Sequence, residues 1–417
     1  MRCRVLKSFQ AIQRWCANLR DSIRLIIALT ANKASSVLFS AKTLLPGLVL
    51  GAGLPAWIVG WIVPIRESLS LLPQAFLSVY LRRNPERYRV WRLGMCIQAF
   101  SGAGILGLCW TYANSDRDID SGIFAFTFLF LLAIFSIGRS CCSLTWKDIQ
   151  ADTVDKGKRG GLIGNATTLA GIVTIGVALP LALFPSAQSM SALLLLGGLS
   201  ILMLGVTLLL MWPIKTTIDV DQGDLSDSES TLWQRLTPTL SSAARRFIIV
   251  RCLFVHTALV APFFVLSQSQ TNDKLAVYYL AAEALAALVS AKFWGYFADR
   301  SARFVLVIAG VLAILACLGV VVLQPTTLIP SIVMFFALSI AHTGVRTGRK
   351  TYTLDIDEGQ SRTELVGSAN TIVGIVLLVI GGLYAALQSV LGATVISIMT
   401  AMLVVGVVLA LRLPSEK

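Results

Sequence analysis

Residues 146–173 read WKDIQADTVDKGKRGGLIGNATTLAGIV, and residues 349–376 read RKTYTLDIDEGQSRTELVGSANTIVGIV. Laid on each other without a gap, the two stretches are identical at ten positions, and three of these are charged: Lys147/Lys350, Asp152/Asp355 and Arg159/Arg362. A second match lays residues 65–87 on 281–303 and pairs Glu67 with Glu283. Apolar helices often match by chance, but charged positions do so far less often. The chain is therefore predicted to contain two halves of similar structure.

Long apolar segments surround both stretches. Of the 417 residues, 56% are apolar and 14% are charged, and the mean hydropathy is +0.76, whereas soluble domains carry roughly 25% charged residues. This composition excludes a cytosolic enzyme and a disordered chain. Segments long enough to span a membrane are predicted at 34–54, 57–80, 90–112, 122–144, 161–184, 189–213, 246–267, 275–298, 303–323, 328–345, 364–387 and 390–411. We therefore expect an all-α integral membrane protein with twelve transmembrane helices arranged as two parallel six-helix repeats.

The basic residues are distributed unevenly between the connecting loops. They cluster at 82–92, 147–159, 300–303 and 346–362, whereas the alternate loops contain only Arg117 and Lys274. The positive-inside rule places these clusters and both termini in the cytoplasm, with residues 111–121 and 268–274 outside. The formal net charge of +13 is then explained by cytoplasmic loops next to the lipid bilayer, and nucleic acid is not expected as a partner.

The same pattern divides the chain into five regions. Residues 1–33 are predicted to form a cytoplasmic amphipathic segment on the membrane surface, and a disordered basic tail is the alternative. Residues 34–214 form the N-terminal six-helix bundle, and the acidic stretch 215–245 is a cytoplasmic linker. Residues 246–411 form the C-terminal six-helix bundle, followed by a cytoplasmic tail at 412–417.

The most specific local motif is Gly295-Tyr-Phe-Ala-Asp299-Arg300-Ser-Ala-Arg303, at the cytoplasmic end of the eighth segment. A glycine there lets two helices approach, an aspartate caps or pairs at the helix end, and arginines meet the lipid surface. The motif resembles the cytoplasmic loop motif of the major facilitator superfamily, Gly-x-x-x-Asp-Arg-x-x-Arg/Lys. The loops Asp155-x-x-x-Arg159 and Glu358-x-x-x-Arg362 are also similar to loops of that superfamily.

This resemblance extends over essentially the whole chain. It implies a secondary transporter of a bacterial cytoplasmic (inner) membrane that works by alternating access. It also implies that Gly295, Asp299, Arg300 and Arg303 latch the cytoplasmic side while the halves rock; simple loop charges are the alternative. The equivalent loop after the second segment has Arg82 and Arg83 near the Asp-Arg pair but no aspartate, which puts a symmetric latch in doubt.

Ionisable residues inside the hydrocarbon are costly and usually mark a solute or ion pathway. Glu67 and Glu283 occupy matching positions of the two halves, about a dozen residues from the cytoplasmic ends of their helices, near or beyond the membrane midplane. We expect Glu283, with no cation beside it in the sequence, to exchange the coupling proton. We expect Glu67 and its neighbour Arg66 to gate the pathway or orient the substrate. An outer loop at residues 64–68 is the alternative for Glu67.

Two further residues leave their roles open. Arg139, in the fourth segment, is expected to bind an anionic substrate, to pair with a carboxylate, or to extend to the cytoplasmic interface. His256, in the seventh segment, is either a hydrogen-bonded core histidine or a proton relay.

Catalytic motifs are absent from the sequence. No nucleotide-binding, hydrolase or metal-ligand spacing is recognised, so neither an enzyme nor a cofactor nor a metal is expected. The expected function is a monomeric secondary active transporter that moves a small-molecule substrate, coupled to protons. The small number of predicted deep charges argues against a polyanionic substrate. The alternative is a non-transporting membrane protein on the same fold, either a membrane enzyme or an accessory protein of envelope assembly.

Overall fold

The computed structural model describes residues 23–83, 86–115, 120–153, 159–183, 190–213, 241–269, 275–323, 327–356, 359–392 and 394–414. The regular elements within these ranges are helices. Residues 1–22 of the predicted amphipathic segment, most of the predicted linker, and the loop positions Asp155 and Glu358 lie outside the described residues.

A first set of helices lies within residues 23–213. It comprises α1 (23–38), α2 (Leu44–Ala52), α3 (Trp57–Leu71), α4 (Pro73–Arg83), α5 (Arg87–Ala113), α6 (Ser121–Thr153), α7 (Arg159–Leu183) and α8 (Met190–Met211). A second set, within residues 241–414, comprises α9 (Ser242–Phe254), α10 (His256–Ser269), α11 (Leu275–Ala298), α12 (Ala302–Leu323), α13 (Leu328–Ile356), α14 (Gly359–Leu391) and α15 (Thr394–Leu411). Within the described ranges, ten helical spans are long and apolar enough to cross a membrane. The chain is therefore a multi-pass membrane protein.

The first part of the chain departs most from the predicted pattern. The helical structure of α1 is already present at residue 23, not at the predicted residue 34. Leu25, Ala28 and Leu29 are buried in the bundle, although basic residues interrupt the hydropathy around them. The backbone leaves the helix at residues 39–43 and resumes in α2, so the first predicted span is two short helices with a break between them.

A glycine and a proline set the limits of the next helices. Gly53 ends α2 with φ 82° and donates its N–H to the carbonyls of Leu50 and Val49; glycine suits this left-handed conformation, which costs other residues strain. Pro73 is the first residue of α4, a position where its missing N–H costs no helical hydrogen bond. The second predicted span is consequently divided into α3 and α4.

The helices pack in a similar pattern within each set. In the first set, α5 packs on α6 and α8, and α3 packs on α6. In the second set, α12 packs on α13 and α15, and α11 packs on α13. Small residues allow the closest crossings: a Cβ added at Gly94 of α5 would lie 2.7 Å from the carbonyl oxygen of Gly138 of α6.

The two sets meet through α3 on α14 and through α7 on α11. We name the end of the bundle that holds the turn at residues 299–301 the motif end, and the end that holds Gly53 the opposite end. Two of the closest contacts between the sets lie toward the opposite end. A Cβ added at Gly60 would lie 2.9 Å from the Cα of Ala385, and one at Gly381 would lie 2.5 Å from Pro64.

Candidate functional site

The break between α1 and α2 brings polar groups into the middle of the bundle. Ser40 and Thr43 in the break are buried, and the backbone N–H of Lys42 donates to Ser40 Oγ at 3.1 Å. Irregular backbone at membrane depth persists only where protein or a water-filled space satisfies its polar groups. Interrupted helices of this kind commonly form binding sites in secondary transporters.

Glu283 of α11 meets this break from the second set of helices. Its Oε2 accepts hydrogen bonds from Ser40 Oγ at 2.8 Å and from Thr43 Oγ1 at 3.2 Å. Its Oε1 lies 3.7 Å from Lys42 Nζ, and the two side chains are 18% and 17% exposed. The expectation that Glu283 lacks a neighbouring cation is therefore wrong, because the cation comes from a helix break in the other set.

Glu67 forms the other ion pair. It lies within α3, about 15 Å along the helix from Trp57, so the alternative of an outer loop is excluded. Its Oε1 lies 3.9 Å from Nη1 of Arg139 in α6, and the two side chains are 35% and 28% exposed. Of the three roles left open for Arg139, the geometry favours pairing with a carboxylate.

Three further arginines extend the group of charges. Arg66 of α3 is 4% exposed, and it interacts electrostatically with Arg139, Glu67 and Glu283. Arg346 and Arg349 come from α13; the charge of Arg346 acts on both carboxylates and on Arg139. We name Lys42, Arg66, Glu67, Arg139, Glu283, Arg346 and Arg349 the charge cluster.

The members of the charge cluster face one another from five different spans. Several of them carry exposed surface: Arg346 is exposed, and the two ion pairs are partly exposed. Because the ion-pair partners belong to different helices, we infer that this surface borders a space inside the bundle. The cluster therefore lines a polar space between the two sets of helices.

Two basic members of the cluster differ from the predicted pattern. The sequence predicts that the tenth span ends at residue 345 and that Arg346 and Arg349 lie in a cytoplasmic loop. In the structure α13 continues to Ile356, so both residues belong to a helix that lines the polar space. A signal was present in the sequence: His342, Arg346 and Arg349 are spaced four and three residues apart, which aligns them on one helix face.

Lys42 is the third functional residue that the sequence did not single out. In the sequence it only interrupts an apolar run. Its role depends on Glu283, 241 residues later, and no local pattern reports such a distance. An unexplained lysine in a spanning segment is nevertheless a signal in itself, because such residues usually have a partner.

His256 lies outside the charge cluster. It begins α10, is 1% exposed, and its Nδ1 lies 2.7 Å from the carbonyl oxygen of Leu253. Its Nε2 lies 3.0 Å from the hydroxyl oxygen of Tyr384. Both ring nitrogens thus have neutral partners within the second set of helices, and this geometry favours the core histidine over the proton relay.

The four motif residues also lie apart from the cluster, about 24 Å along α11 from Glu283 to the turn. Asp299 and Arg300 are exposed, and Arg300 donates to the hydroxyl of Tyr296. Arg303 Nη1 donates to the carbonyl oxygen of Leu413 at 2.8 Å. A Cβ added at Gly295 would have no other atom within 4 Å, so the close helix approach expected at this glycine is not present.

Solved structures of transporters share this architecture. A mutant of the nucleoside transporter NupG has a TM-score of 0.67 at 12% identity and covers 94% of this chain and 99% of its own. The xylose transporter XylE from E. coli, in an inward-open conformation, has a TM-score of 0.66 at 12% identity, covering 95% of this chain and 97% of its own. A D-xylose–proton symporter has a TM-score of 0.68 at 11% identity, covering 95% and 98%.

Sequence comparison gives no further information. No protein-family model matches the chain, and no curated protein sequence matches it. The structural matches cover nearly the whole chain, and at these identities they establish a shared fold.

Proposed function

The chain has the fold of the major facilitator superfamily, and from this premise we propose that it is a secondary active transporter. It moves a small solute across a membrane by alternating access. In such proteins the substrate site lies near the membrane midplane between two repeats. The charge cluster lies between the two sets of helices, which fits this location.

The two sets of helices are the two parallel repeats of this proposal, with six spans each. Three observations support them. The sequence matches itself across the halves, the packing pattern of the first set is repeated in the second, and Glu67 and Glu283 occupy matching helices, α3 and α11. In both repeats the first span is interrupted, at residues 39–43 and at Val255.

The orientation follows from the basic residues. We place the motif end in the cytoplasm and both termini with it, in a bacterial inner membrane, because the loops rich in arginine and lysine are at that end. The tight contacts at the opposite end then correspond to a state closed to the outside. A reporter fused after Lys417 is expected to be active in the cytoplasm, and external activity would contradict this orientation.

The observation that carries the proposal is the carboxylate of Glu283 in contact with Lys42, Ser40 and Thr43. These contacts join the two repeats and depend on the charge of the carboxylate. Protonation of Glu283 removes the attraction for Lys42 and weakens the hydrogen bonds that it accepts. A proton that arrives with the solute therefore loosens one connection between the repeats, and this couples proton movement to the change of access.

Proteoliposomes with an imposed pH gradient test the proposal. Purified protein is reconstituted, and the uptake of a panel of radiolabelled solutes is measured in both directions of the gradient. We expect Glu283→Gln, which mimics the protonated carboxyl, to abolish gradient-driven accumulation while exchange of solute across the membrane continues. Glu86→Gln is the matched control, since Glu86 pairs with Arg89 outside the charge cluster.

The outcomes distinguish failure of the proposed coupling group from failure of the proposed transport function. Undiminished accumulation in Glu283→Gln would show that this carboxyl is not the coupling group. Absence of flux for every solute in the panel would favour the non-transporting alternative.

A further inference from the structure

The charge cluster contains more positive than negative charge. It holds five basic side chains, Lys42, Arg66, Arg139, Arg346 and Arg349, and two carboxylates, Glu67 and Glu283. The two ion pairs use Lys42 and Arg139. Three arginines remain, and none of them has a carboxylate within 4.0 Å among the side chains that the structure describes, which do not include those of residues 147–148, 150–153 and 354–368.

Arg66 shows most clearly that this excess is unbalanced. Its side chain is 4% exposed, and its Nε has no hydrogen-bond partner among the residues that the structure describes. A guanidinium nearly always finds acceptors when it is buried, because an unpaired buried charge is strongly unfavourable. Arg66 therefore has unused capacity to bind a negative group.

The arginines of α13 point to the same conclusion. Arg346 and Arg349 are three residues apart in the sequence, and Arg346 acts electrostatically on Arg139, Glu67 and Glu283. Arg346 is also exposed within the polar space. Lipid headgroups do not account for this arrangement, since the charges of Arg346 and Arg349 act on groups that belong to other helices.

We propose that the solute is a small organic anion that carries a carboxylate or phosphate group, bound in the charge cluster by Arg66, Arg346 and Arg349. Guanidinium groups bind such oxyanions through paired N–H donors, and binding is strongest where water is excluded. This inference rests on the proposed transport function for its physiological meaning. It also revises the expectation, drawn from the sequence, that few charges lie deep in the bundle.

The ion pair between Lys42 and Glu283 links binding of the anion to protonation of Glu283. While Glu283 is ionised, its carboxylate is paired with the ammonium group of Lys42. Protonation of Glu283 leaves Lys42 without its carboxylate, and the bound anion then has a further positive partner. Anion and proton are thereby expected to bind cooperatively, each favouring the other.

The test measures binding, not transport. Purified protein in detergent is titrated calorimetrically with two anions and their neutral counterparts: succinate with succinamide, and glycerol 3-phosphate with glycerol. We expect at least one of the anions to bind, and the neutral counterpart to bind at least tenfold more weakly. Arg346→Gln is expected to weaken anion binding at least tenfold, whereas Arg246→Gln, an exposed arginine of α9, retains it.

Further variants keep the outcome interpretable. Arg346→Lys preserves the charge and is expected to bind more tightly than Arg346→Gln. If Arg346→Gln does not elute as a folded monodisperse species, Arg349→Gln takes its place. Equal binding of the neutral counterparts, no binding of either anion, or equal loss in Arg246→Gln would each overturn the proposal.

The result is distinguishable from failure of the transport proposal. Anion binding without flux in proteoliposomes would support the anion site and contradict transport. Flux of neutral or cationic solutes, with no anion binding, would support transport and overturn the anion site.

Discussion

The Glu283 carboxylate lies 3.7 Å from the Lys42 ammonium across the boundary between the two sets of helices. The lysine comes from the break at residues 39–43, and the glutamate comes from the middle of an unbroken helix, α11. This ion pair, together with the hydrogen bonds from Ser40 and Thr43, thus joins an irregular part of the first set of helices to a regular helix of the second. Its strength depends on the ionisation of one carboxyl.

Separate removal of each charge should destabilise the protein more than removal of both. Lys42→Gln leaves Glu283 without its cation, and we expect a loss of about 1–3 kcal/mol in the free energy of unfolding, the range for a buried polar group left without its partner. The double variant Lys42→Gln/Glu283→Gln is expected to recover part of that loss. Denaturant unfolding in detergent, followed by tryptophan fluorescence, measures the parent, Lys42→Gln, Glu283→Gln and the double variant.

Lys33 provides the control for this cycle. It lies in α1 and donates to Thr167 Oγ1, away from Glu283. Lys33→Gln combined with Glu283→Gln should therefore be additive within about 0.5 kcal/mol. If the Lys42 cycle is equally additive, the two side chains do not interact in the membrane protein.

A bulky residue at Gly60 should prevent closure of the opposite end. A Cβ at this position already lies 2.9 Å from the Cα of Ala385, so Gly60→Trp must push α3 away from α14. We expect an increased distance between spin labels attached to Trp57→Cys and Val390→Cys, measured by double electron–electron resonance. Both labelled positions are exposed.

Gly107→Trp is the matched control, since a Cβ at Gly107 would meet no atom within 4 Å. The spin-label distance should remain that of the parent protein. An unchanged distance in Gly60→Trp would show that the tryptophan is accommodated without separating α3 from α14, so that this contact does not govern closure.

The crossing of α5 and α6 should tolerate no side chain. Gly138→Ala places a Cβ 2.8 Å from the carbonyl oxygen of Gly94, and backbone atoms cannot turn away as a side chain can. We expect a loss of about 1–3 kcal/mol, typical of overpacking. Gly205→Ala, where a Cβ would have open space, should be neutral or slightly stabilising. Thermal unfolding of both variants in detergent measures these changes in stability. A Gly138→Ala variant as stable as the parent would contradict the close packing of α5 on α6.

Asp299→Asn should slow solute transport and leave folding unchanged. The side chain is exposed at the turn between α11 and α12, so its replacement leaves the core intact. If the motif latches the cytoplasmic side, solute counterflow in proteoliposomes should be slowed, with Glu86→Gln again as the control. Counterflow at the parent rate would leave Asp299 as a loop charge only.

The sequence predicts the fold class well because the fold depends on patterns that are spread over many residues. Apolar segments of spanning length, the self-match of the two halves, and the motif ending at Arg303 each point to the same architecture. Boundaries are less predictable where a span contains charge: α1 and α13 both differ from the expected limits, because Lys33 and Arg346 interrupt the apolar run without ending the helix.

The candidate site is only half predictable. Glu67, Glu283, Arg66 and Arg139 are conspicuous as charges within apolar segments, and the structure brings all four together. Lys42 and Arg346 require knowledge of the tertiary structure, since each acquires its role from charges on other helices. His256 was equally conspicuous in the sequence, yet its partners, Leu253 and Tyr384, are neutral.

The break at residues 39–43 also has a consequence for biogenesis. Lys42 is synthesised 241 residues before Glu283, which corresponds to roughly 12–48 s at about 5–20 residues per second. During that interval the lysine has no carboxylate from α11, and an unpaired lysine in a spanning segment is costly to leave in lipid. We therefore expect the nascent segment that carries Lys42 to stay beside the insertion machinery until α11 is made. A helix that is translated before α11 is then among the last to reach its final place.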